Sequence, residues 1–95
     1  MSRFIVRIEL HDAKWADYDT LHDAMQNRGF ARLIKGDDGK TSHLPWAEYT
    51  GVSDLTCGGI RDIAREVANT TGKNNSVLAT EGTSFAWVGL TEAGK

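Results

Sequence analysis

Apolar and polar residues alternate from Arg3 to Leu10. Phe4, Val6, Ile8 and Leu10 fall on one side, and Ile5, Arg7 and Glu9 on the other. A period of two marks a strand with one buried face. The period then changes. Trp15, Tyr18, Leu21, His22 and Met25 recur at three- and four-residue spacing, the stripe of an amphipathic helix with Trp15 in the core. Asp12 is placed to cap the start of this helix, and Gly29 suits the left-handed residue that ends it.

Phe30 to Lys35 reads as a second strand. Gly36-Asp37-Asp38-Gly39 is a tight-turn signal, and a third strand is expected from Lys40 to Tyr49. Pro45 has no amide proton for the ladder, which predicts a sheet edge or a bulge at that point. Thr50 to Leu55 is expected as a loop. A second helix is predicted to start near Thr56, with Ile60, Ile63, Ala64, Val67 and Ala68 on its apolar face. Ser76 to Thr80 reads as a fourth strand, Glu81-Gly82 as a turn, and Thr83 to Leu90 as an extra C-terminal strand. Thr91 to Lys95 is expected to fray.

The order β, α, β, β, α, β predicts a single α+β domain over residues 1–95 in a ferredoxin-like sandwich. Both helices would cover one face of an antiparallel sheet and leave the other open. The chain has 95 residues, which suits one domain and no more. No apolar run reaches the roughly 18–20 residues of a membrane span, and Met1 to Arg7 lacks a signal-peptide layout. The single cysteine, Cys57, excludes an internal disulfide and a cysteine-based zinc site within one chain. The expected compartment is therefore the cytoplasm.

The net charge is −2, unlike the basic excess of a non-specific nucleic-acid binder. A local patch is still available: Arg3, Arg7, Arg28, Arg32 and Lys35 lie within the first 35 residues. Trp46 on an edge strand and Trp87 on a last strand could stand exposed. Aromatic rings beside Arg7 or Arg32 would make either a base-stacking platform or a dimer interface.

Candidate acid–base groups are few. His11 precedes Asp12 at the end of the first strand, where the carboxylate could orient the imidazole or the pair could hold a divalent ion. His43 lies on the third strand and meets His11 only if those strand ends converge. His22 sits on the apolar helix stripe and reads as a partly buried structural histidine. Asp37 and Asp38 are explained by their turn.

The chain resembles the GhoS family of small proteins over most of its length. The resemblance lies in Phe4-Ile-Val-Arg-Ile-Glu-Leu-His-Asp-Ala-Lys-Trp15, Tyr18-Asp-Thr-Leu-His22, Met25 and Arg28-Gly-Phe30. It continues in Gly36-Asp-Asp-Gly39 through His43-Leu-Pro45, in Ala47-Glu-Tyr49, Thr71-Gly-Lys73 and Val77-Leu78, and in Trp87-Val-Gly-Leu90. GhoS is the antitoxin of a type V toxin–antitoxin system, an endoribonuclease that destroys the toxin's messenger RNA. Its fold resembles that of the small nucleases of CRISPR adaptation, which carry a metal-binding aspartate at the end of the first strand. Asp12 is the nearest match here.

The resemblance implies a ferredoxin-like endoribonuclease acting on messenger RNA. In that case His11 or His43 is expected as acid/base, Asp12 as orienter or ligand of a divalent metal, and Arg7, Arg32 and Trp46 as the RNA contacts. The competing expectation is a non-enzymatic homodimer that binds a partner protein through the open sheet face.

Overall fold

The computed structural model describes residues 1–93. Strand β1 spans Ser2–Leu10, helix α1 Trp15–Asn27, β2 Leu33–Lys35, β3 Thr41–His43, β4 Glu48–Ser53, helix α2 Cys57–Asn69 and β5 Asn75–Gly82. β1 is the central strand of a three-stranded antiparallel sheet of order β4-β1-β5, and β2 and β3 form a separate hairpin. The fold is thus α+β, with two helices, as the period changes predicted.

The alternation in β1 decides which face is buried. Phe4, Val6, Ile8 and Leu10 join Tyr49 from β4, Leu21 and Met25 from α1, and Ile60, Ala64, Val67 and Ala68 from α2 in one core. Both helices therefore lie on the same face of the sheet. Each large apolar side chain removed from water there contributes roughly 1.5–3 kcal/mol. α2 starts near Thr56 as expected, and Thr56 caps it, its hydroxyl accepting from the Gly59 amide at 3.1 Å. Gly29 closes α1 at φ +90°, and Gly39 takes φ +82° in the hairpin turn.

Several expectations are corrected. Asp12 does not cap α1. It adopts φ +54° in the turn after β1, so the helix begins later, after Lys14, whose amide donates to the Asp17 carboxylate at 2.9 Å. Trp15 is 73% exposed rather than core, because it is the first residue of α1 and lies beyond the rows that meet the sheet. The expected third strand breaks at Leu44–Ala47. Pro45 withholds a ladder proton there, and Ala47 turns to φ +65°. The chain then resumes as β4 and runs to Ser53, through the segment expected as a loop, because β1 offers a full partner from Ser2 to Arg7.

The expected second strand is also shorter: Ala31 makes only an isolated bridge to Thr50. Glu81 and Gly82 belong to β5, opposite Phe4 and Arg3, rather than to a turn.

Thr83 to Leu90 forms no strand. It crosses the outer face of the sheet instead. The Arg3 guanidinium lies 4.5 Å from the centre of the Phe85 ring, and Ile5 shares a hollow with Ile34, Leu44, Phe85 and Trp87. These apolar side chains gain more from covering Ile5 and Ile34 than from a further strand in water. The face expected to be open is therefore open only in part. Thr91 to Ala93 does not fray: the His43 amide donates to Thr91 and the Ala93 amide to Thr41, both at 2.8 Å. The expected fraying of Gly94 and Lys95 lies outside the described residues.

Candidate functional site

Trp46 sits in the break of the strand, and four side chains converge on its ring. Trp15, Tyr18 and His22 arrive from one stripe of α1 at three- and four-residue spacing. Their ring centres lie 4.9, 5.7 and 4.8 Å from that of Trp46, with Trp15 and His22 nearly perpendicular to it. The Arg32 guanidinium stands over the same ring at 4.7 Å. The backbone fixes this approach, since the Leu44 amide donates to the Arg32 carbonyl and the Ile8 amide to that of Ala47. Trp46 itself remains 44% exposed.

Beneath the aromatic group lies a polar pair. The Tyr49 ring is fully buried, and its hydroxyl is 2.6 Å from Nδ1 of His22. Burial holds the Tyr49 hydroxyl far above its ordinary range, outweighing the opposing pull of Arg32. The phenol therefore keeps its proton, and because Nδ1 is the one acceptor it meets among the described residues, it donates there. Burial also lowers the basicity of His22, aided by the positive charge of Arg32 and opposed by Asp19 and Asp23. A neutral imidazole accepting at Nδ1 must carry its hydrogen on Nε2. That nitrogen and Arg32 Nε are both cut off from water and meet no acceptor among the described residues.

On another side of Trp46 opens a cleft of about 350 Å³, lined by Arg7, Glu9, Tyr18, Trp46, Ser76 and Leu78 among others. Tyr18 is tied to the end of β1, its hydroxyl accepting from the Leu10 amide at 3.1 Å. Arg7 approaches Glu48 at 3.9 Å. His11 sits beside this cleft, with Nε2 3.2 Å from the Ser76 hydroxyl and 3.5 Å from the Glu9 carboxylate.

Trp46 and Arg32 are thus brought into contact, and Arg7 shares a cleft with Trp46. Asp12 is exposed in the turn after β1. His43 is exposed on β3, and no hydrogen bond or ion pair among the described residues joins it to His11 or Asp12. Trp46 and Trp87 lie in irregular segments, not on strands. Among the described residues, no group of three or more His, Cys, Asp or Glu gathers to hold a metal ion. Asp38 serves its turn, accepting from the Lys40 amide at 2.9 Å. No described helix is long and apolar enough to cross a membrane.

Sequence reasoning missed the pairing of His22 with Tyr49. The one available signal was a histidine between Leu21 and Met25 on the buried stripe, a position where an imidazole needs a partner. No protein-family model and no curated protein matches the chain.

Proposed function

We propose that this chain is a GhoS-type endoribonuclease that binds single-stranded messenger RNA at the Trp46 end of a ferredoxin-like domain. The observation that carries the reading is the stack of Arg32 on Trp46 beside the exposed ring of Trp15. Exposed aromatic faces bind unpaired bases by stacking, and arginine adds a phosphate contact without requiring a basic protein overall. The order β4-β1-β5, with Ala31 bridged to the far side of β4, supports the ferredoxin-like arrangement. The cytoplasm, where messenger RNA is made, is the matching compartment.

In this reading RNA follows the cleft that holds Arg7 and Trp46, and His11 at its rim serves as the acid/base group. Cleavage would proceed by attack of a ribose 2′ oxygen on phosphorus. A base takes the 2′ proton, the bond to the 5′ oxygen breaks, and an acid returns a proton to that oxygen. His43 is the second candidate for one of these proton transfers, and Asp12 for orienting His11 or holding a divalent ion.

The experiment is cleavage of a labelled single-stranded RNA panel, with and without a divalent metal, by the wild-type chain and by His11→Ala, Asp12→Ala and His43→Ala. The reading expects cleavage that at least one of these variants abolishes while the protein stays folded. Salt-dependent RNA affinity should accompany it. A folded wild-type chain with neither RNA affinity nor cleavage sinks the reading.

A second reading is a homodimeric interaction module. It is favoured by Val52 and Leu78, both exposed on the part of the outer sheet face that Phe85 leaves clear. A concentration-dependent dimer with no RNA affinity selects it.

A further inference from the structure

The geometry points to a phosphate subsite under Trp46, in which Nε2 of His22 and Nε of Arg32 together donate to one phosphodiester group of single-stranded RNA. The ligand class rests on the RNA reading above, but the donor pair stands on geometry of its own.

Both nitrogens are shielded from water and lack an acceptor among the described residues. A buried N–H left unsatisfied costs about 1–3 kcal/mol, so two against one ring call for a reason. Both side chains lie against the Trp46 ring, at 4.8 Å for the His22 ring and 4.7 Å for the guanidinium. The Tyr49 hydroxyl fixes the His22 tautomer from behind, so Nε2 presents a hydrogen rather than a lone pair. The subsite therefore accepts an oxyanion and not a cation. In the free protein both side chains rest against the Trp46 ring, which we take as the cover of the subsite. That ring sits on the short Leu44–Ala47 segment, where Ala47 already holds a left-handed backbone, and turning this ring outward uncovers the two donors. A phosphate can then enter while the ring offers its face to the adjoining base.

The charged and titratable groups around His22 are Arg32, Asp19 and Asp23, with Tyr49 at its Nδ1 and Tyr18 tilted at 6.4 Å between ring centres. Arg32 favours an anion at Nε2, and the two aspartates, on α1 itself, oppose it. An anion bound there stabilises the imidazolium and raises the pH at which His22 titrates.

The test is nitrogen NMR of the histidine side chains during titration with inorganic phosphate, and separately with a short single-stranded oligonucleotide. Wild-type protein, His22→Gln, Arg32→Gln and Arg61→Ala are compared. The expected result is that phosphate moves the His22 Nε2 signal and raises its titration midpoint. His22→Gln and Arg32→Gln should weaken phosphate binding at least about tenfold. Arg61→Ala, exposed on α2 and paired among the described residues with its neighbour Asp62 alone, should leave it unchanged. Phosphate that moves the His11 signal alone, or equal affinity in all four proteins, overturns the subsite. The two readings fail separately. RNA affinity and cleavage unaffected by His22→Gln remove the subsite and keep the nuclease. A His22 response to phosphate, with no RNA binding, keeps the subsite and removes the nuclease.

Discussion

The Tyr49 hydroxyl meets Nδ1 of His22 at 2.6 Å across 27 positions of sequence, joining the middle of α1 to the start of β4. The bond does two things. It satisfies the one polar atom of a fully buried ring, and it sets which nitrogen of His22 carries the hydrogen.

Tyr49→Phe removes this bond and leaves Nδ1 without a donor. A destabilisation of about 1–2 kcal/mol is expected, read from the denaturant midpoint. The same variant frees the imidazole to change tautomer, so the Nε2 hydrogen should be lost from part of the population. Unchanged stability together with an unchanged tautomer would mean that the hydroxyl does not hold the ring.

His22 also ties folding to pH. Its folded-state pKa is depressed below the ordinary 6.5, mainly by burial. The unfolded chain takes up this proton near the ordinary value, and the folded chain only at lower pH. Stability is therefore complete above about pH 6.5 and falls as the pH drops toward the folded-state pKa. Urea unfolding between about pH 7 and pH 5.5 should show this decline in the wild type and a flatter profile in His22→Gln. Parallel profiles in the two proteins would contradict the assignment.

Trp46→Ala removes a stacking surface but no charge. RNA affinity should fall by about 1–3 kcal/mol, while its dependence on salt keeps the same slope. Arg7→Ala should do the reverse, lowering the slope by about one phosphate contact with a smaller dependence on base identity. Binding titrations at two salt concentrations separate these outcomes.

Gly51 is the point where the sheet leaves room for a buried ring. A Cβ built there would lie 2.7 Å from the Phe30 ring carbon Cδ1, and Phe30 is itself buried. Gly51→Ala should cost about 1–3 kcal/mol by overpacking, visible as a lowered thermal midpoint. An unchanged midpoint would show that Phe30 moves aside freely.

The alternation from Phe4 to Leu10 and the stripe from Ile60 to Ala68 were enough to determine two elements and their buried faces. These patterns are local. Burial repeats at the period of the backbone, so a few neighbouring residues carry the whole signal. The hairpin turn at Gly39, the stop at Gly29 and the start of α2 near Thr56 were legible for the same reason. Tertiary structure alone decided the rest. Thr50 to Ser53 became strand because β1 offered unpaired backbone beside it. Phe85 and Trp87 left the expected strand because Ile5 and Ile34 lacked cover. Trp15 lost its place in the core because, as the first residue of α1, it lies edge-on against the exposed Trp46 ring instead. The site around Trp46 joins α1, the end of the α1–β2 connection, the Leu44–Ala47 break and β4. Contacts between groups this far apart in sequence depend on how the helix seats on the sheet, and no periodicity records that seating.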